Sequence, residues 1–146
     1  MSSFNRAAYD VAWNWFRVHA DQRMDLFRTY IVWVVALSAG YVSLIELKAF
    51  EAAMMVAIIG VLFGWLFKRL DERVAGLLKN SERALKTEET KLSIEANNPD
   101  VELVAAADRN LNGHWTYRRS FNALFVSTSA LFLLGVAWAI KGLVCS

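Results

Sequence analysis

Little in this chain invites covalent or redox chemistry. Its 146 residues include one cysteine, Cys145, one proline, Pro99, and two histidines, His19 and His114. A single cysteine excludes a disulfide within the chain and every C-x-x-C metal or redox pattern. With so few soft ligands, neither a metal site nor a cofactor is expected. One proline leaves long stretches without a helix breaker. Neither sign of charge dominates: 16 Lys and Arg against 14 Asp and Glu leave a formal +2. That balance supplies no basic surface of the kind that specific nucleic-acid binding requires. A P-loop, a GxGxxG, a GxSxG and an HExxH are all absent, so no enzyme class is indicated. The opening MSSFNRAAYDVAWNWFRVHADQR lacks the compact apolar core of a signal peptide, so the first membrane helix is expected to act as the insertion signal.

What is present is apolar surface in blocks. Hydrophobic residues make up 56% of the chain, and they collect in three runs rather than spreading evenly. That distribution marks a polytopic membrane protein. The central run, AFEAAMMVAIIGVLFGWLF, spans residues 49–67 and is about the length that crosses a bilayer. It continues without a breaker into KRLDERVAGLLKNSERALKTEETKL, residues 68–92, where charge surrounds an apolar stripe. The expectation is one helix that spans the membrane and extends beyond it as a stalk, roughly 65 Å in all. Leu70, Val74, Leu77, Leu78, Ala84, Leu85 and Leu92 form the stripe at helical period. A wholly solvated helix has no use for such a stripe, so the N-terminal helix or a neighbouring subunit is expected to cover it.

The other elements follow the same logic. Residues 4–28 read as a helix with Phe4, Ala8, Val11, Trp15, Val18 and Gln22 on one face and Trp13, Phe16 and Ala20 on another. This helix either lies in the headgroup layer or runs on into the first span. The second is favoured: no Pro or Gly interrupts Phe4 to Ala39, and Asp10, Asp21 and Asp25 disfavour an anionic leaflet. The spans are expected at 29–47, 49–67 and 121–140, with a tight turn at Glu46, Lys48 and Glu51. NNPD at 97–100 signals a turn, with Asp100 capping a short helix at 100–112 that ends at Asn112-Gly113. The whole forms a single all-α membrane domain over residues 1–146.

Small residues mark the packing faces. Gly60 and Gly64 form a GxxxG with Ala57 and Ala53 one and two turns earlier, and Gly40 and Gly135 form similar pairs with Ala36 and Ala139. Such faces let helix backbones approach closely in lipid, within the hairpin or between subunits. Leu70, Leu77, Leu78 and Leu85 are the matching candidates on the stalk. Ser127, Thr128 and Ser129 are expected to bond back to helix carbonyls rather than to line a polar pathway.

Orientation follows from Lys and Arg. Four precede the first span and ten lie between the second and third, against Lys48 and Lys141 on the other side. The positive-inside rule places the N-terminus and stalk in the cytoplasm and the C-terminus outside. No span carries a charge near its middle, which disfavours an ion-coupled transporter.

Arg109-Asn110-Leu111-Asn112-Gly113-His114 reads R-N-x-x-x-H and resembles the RNase motif of HEPN domains. A histidine to move a proton and an arginine to hold phosphate charge suit that chemistry. The plainer and favoured reading puts Arg109 and Arg118 at headgroups, with His114, Trp115 and Tyr117 in an interfacial belt. His19 reads as a packed helix residue in preference to a pH or anion sensor.

A Trp- and Arg/His-bearing helix (WNWFRVHADQR), a tight hairpin of spans and a stalk of the form LDERVAGLLKNSERAL together resemble small bacterial inner-membrane effectors of antiphage defence. The two-span SLATT-type effectors share this plan. The accessory membrane protein of type VI-B CRISPR systems is similar too, with a HEPN-like motif to which Arg109 and His114 would correspond. This chain adds a third span and has no separate nucleotide-binding domain. The resemblance implies a homo-oligomer that permeabilises the bacterial inner membrane. Two other roles stay open: an adaptor whose stalk docks a soluble cytoplasmic partner, and a membrane-anchored RNase.

Overall fold

A computed structural model describes residues 3–110 and 117–145, with side-chain surroundings over 6–107 and 119–145. Every element among them is helical: α1 Ser3–Glu46, α2 Phe50–Ala96, a 3-10 turn Pro99–Val101, α3 Leu103–Asn110 and α4 Tyr117–Cys145. Three of these helices are long and apolar enough to cross a membrane. The N-terminal helix and the first span are one 44-residue helix, and the second span and its charged extension are one 47-residue helix.

The two long helices end in the same way. Beyond α1, Ala49 N donates to Leu44 O (2.9 Å) and Lys48 N to Ile45 O (3.0 Å), with Lys48 at φ 57°. Beyond α2, Asn98 N donates to Ser93 O and Asn97 N to Ile94 O, with Asn97 at φ 48°. Both are Schellman ends, in which a left-handed residue lets the chain reverse while satisfying the last carbonyls. Asparagine tolerates that conformation better than lysine does. The cap after α2 differs from the sequence expectation. Asn98 Oδ1, not Asp100, accepts the Asp100 N–H, and α3 starts at Leu103 instead of residue 100. Asp100 is spent inside the 3-10 turn, so Glu102 opens α3 by accepting from Ala106 N.

Contacts divide the chain into two compact units, Met1–Met24 with Glu72–Thr116, and Asp25–Asp71 with Tyr117–Ser146. The second unit holds the spans. Tyr30, Phe67, Phe121 and Phe125 form its buried core, flanked by Leu26, Phe27, Val34, Phe63 and Leu124. Phe27 stacks on Phe121 at 4.3 Å between ring centres, and Tyr30 meets Phe125 edge-on at 4.6 Å. Arg69 sits over Trp65 and Lys141 over Trp138, each at 5.8 Å. A cation beside an indole suits the headgroup layer, and the two pairs mark opposite ends of the spans.

Candidate functional site

Within the span unit the small residues of α2 are already occupied. Ala53 and Ala57 are fully buried. A Cβ built on Gly60 falls 2.5 Å from the Phe132 ring, and one on Gly64 meets Ser129 Oγ. The glycines therefore admit α4 of the same chain, a neighbour that the GxxxG spacing did not specify. The contact continues along both helices to Gly142, where a Cβ falls 2.5 Å from Phe50. On the α1 side, Gly135 faces Tyr41, whose hydroxyl donates to Gly135 O at 2.8 Å. Gly40 has nothing within 4 Å of a Cβ position and is left open. Thr128 Oγ1 bonds back to Leu124 O (2.8 Å), as its place in the span suggested, and also accepts from Tyr30 Oη. Among the described residues, the three helices thus share one seam, and two hydroxyls hold α1 to α4 there.

Between α1 and α4, Val34, Ser38, Tyr41, Thr128, Phe132 and Gly135 line a crevice of about 170 Å³. The Tyr41 and Thr128 hydroxyls are engaged, and the rest of this lining is apolar apart from Ser38.

The other unit carries the stripe of the α2 extension. Leu85 is 1% exposed and Val74 is buried, while Leu77 and Leu78 are half-buried. In the span unit, Leu70 is exposed at 38%. Ser81 and Glu89 are buried with the leucines. Ser81 Oγ donates to Leu78 O at 2.7 Å, and Glu89 Oε2 accepts from Val104 N at 2.9 Å. Glu89 thereby holds the first turn of α3, where a carboxylate meets the positive end of the helix. His19 is buried, with Nδ1 2.8 Å from Trp15 O and its ring 4.5 Å from the Trp15 ring. These contacts give His19 a packing role.

Beside this core lies a groove of about 700 Å³ lined by Ala7, Ala8, Val11, Ala12 and Trp15 of α1 and by Leu77, Asn80, Ser81 and Ala84 of α2. Its floor is mostly small residues, and Val11 and Trp15 stand half or more exposed at its edge.

One curated protein is similar along most of its length. CD-NTase-associated protein 19 of Escherichia coli is 29% identical over 132 residues, covering 84% of this chain and 83% of that protein. No family model matches the chain, and no solved structure matches it significantly.

Arg109 lies in α3, and His114 lies outside the described residues. No cluster of three metal-ligating side chains occurs among the described residues. Sequence reasoning missed Tyr30, Phe125, Phe132 and Ser129 as seam residues, and Glu89 as the anchor of α3. The signal for the seam was available: Phe121, Phe125, Thr128, Phe132, Gly135, Ala139 and Gly142 repeat at alternating steps of four and three. Their mixed chemistry hid the repeat.

Proposed function

We propose that this chain is a membrane accessory of bacterial antiphage defence, a homo-oligomer in the inner membrane whose assembly forms or gates a pore. Three things support the reading. The relative is named for association with a CD-NTase. The chain has three helices fit to cross a bilayer. Its helix plan resembles that of small membrane-permeabilising effectors. In this reading the N-terminus and the α2 extension are cytoplasmic, which the distribution of Lys and Arg supports. The single observation that carries the choice is the burial of Leu85 at 1% exposure. The chain itself closes the α2 stripe at Val74 and Leu85, so a soluble partner is not needed to cover it there. Output then falls to the membrane part. Three spans in one chain enclose no pathway, so a pore requires a ring of copies. No catalytic step is assigned: purified protein should leave RNA uncut, and His114→Ala should act as the wild type does in cells.

Reconstitution tests the reading. Liposomes loaded with a small dye should release it, with a rate rising more steeply than linearly in protein-to-lipid ratio. Assembled protein that releases nothing would remove the pore and leave the adaptor reading. That second reading rests on the open groove beside Trp15 and Leu77, which offers a soluble partner an apolar seat.

A further inference from the structure

We infer that the groove between α1 and α2 takes Trp13 of a second copy of this chain, in a head-to-tail contact that repeats around a ring. The inference rests on the self-assembly proposed above and names its contact. The groove is open and apolar, with Trp15 and Leu77 in its lining and the small side chains of Ala8, Ala12, Ser81 and Ala84 leaving room between them. Trp13 is the matching knob. It is 47% exposed and braced by stacking on Phe16 at 5.8 Å. At 100° per residue Trp13 lies about 170° around α1 from the mean direction of the groove's α1 wall. One helix thus shows a hole on one side and a knob on the other.

That arrangement selects a symmetry. A patch that meets itself gives a two-fold pair, whereas a knob and a hole on opposite faces give a heterologous contact, which forms a ring where the rotation closes. The membrane adds a constraint. Copies inserted with the same orientation are related by rotation about the membrane normal, and rotation leaves each residue at its own depth. The knob must therefore sit at the level of the hole. Trp13 satisfies this because it falls within residues 7–15, the stretch that forms the groove's α1 wall. A buried Trp in a small-residue pocket is also the residue type that dominates interface energetics. Val11, at 69% exposure, and Trp15, at 50%, then become rim residues covered by the neighbour.

The test uses the full chain in its membrane, with Cys145→Ser as background. Asp10→Cys lies on the Trp13 side and Asn80→Cys in the groove. With both in one chain, a short bismaleimide should give a ladder of covalent multimers, and each single variant should give monomer. Dimer from either single variant alone would mean a two-fold contact and would overturn the inference. Native mass in detergent provides the second readout. Trp13→Ala removes the knob and Ala84→Trp fills the hole, and each should reduce the assembly to monomer with helicity by circular dichroism unchanged. A wild type that assembles while both variants keep its mass would overturn this contact and leave self-assembly standing. Wild-type protein that is monomeric in detergent and gives no ladder in membranes would overturn both.

Discussion

Gly60 and Gly64 share the spacing of a helix-association motif, but their consequence depends on what lies opposite. Phe132 and Ser129 fill the space a side chain needs. Gly60→Leu and Gly64→Leu should therefore damage the chain's own packing before any contact between copies. Overpacking of this kind costs about 1–3 kcal/mol, which should appear as a lower thermal midpoint in detergent. Gly40→Ala meets nothing within 4 Å and should leave the midpoint unchanged. If Gly64→Leu melts like the wild type and lowers only the native mass, the α2–α4 contact described here is wrong. Tyr30 gives a finer probe. Tyr30→Phe deletes its bond to Thr128 but leaves Thr128 bonded to Leu124 O. Hydrogen bonds between membrane helices average about 0.6 kcal/mol, so the expected loss is small and measurable only beside the glycine variants.

At the scale of elements, much was legible in the sequence and one regularity was not. The continuity of α2 followed from an absence of breakers between Ala49 and Leu92, and the short turn from Glu46, Lys48 and Glu51. These features are local, and local chemistry decides them. The seam is not local. Along α2 the buried positions are Ala53, Ala57, Gly60, Gly64, Phe67, Asp71, Val74, Ser81, Leu85 and Glu89. With half-buried Leu78 included, they alternate steps of four and three as far as Leu85, the 3.5-residue repeat of a left-handed coiled coil. Reading apolar residues alone picked Leu70 and Ala84, which are exposed, and passed over Asp71 and Ser81, which are buried. Burial here is set by facing helices that the sequence does not announce. The turn at Lys48 gives this scale its prediction. A non-glycine residue at φ 57° carries a cost of about 1–2 kcal/mol. Lys48→Gly should raise the thermal midpoint, and Lys48→Val, with a branched side chain in the same conformation, should lower it. Equal midpoints would mean that the turn relaxes to another conformation.

For the whole molecule the open physical question is which side of the membrane each end occupies, and it decides where any trigger acts. Of the sixteen Lys and Arg, only Lys48 and Lys141 fall on the side of the α1–α2 turn and the C-terminus. Each cationic group that crosses the bilayer is costly, and the bias of Lys and Arg toward the cytoplasm sets topology. The expectation is therefore a C-terminus outside and an α2 extension inside. Cys145 is the chain's only cysteine and is exposed, so the native protein carries its own probe. In spheroplasts, a membrane-impermeant maleimide should label Cys145 without permeabilisation. Asp100→Cys in a Cys145→Ser background, at an exposed position beyond α2, should be labelled only once the membrane is opened. The reverse pattern would put the groove and Trp13 outside the cell. The trigger would then have to be an external one.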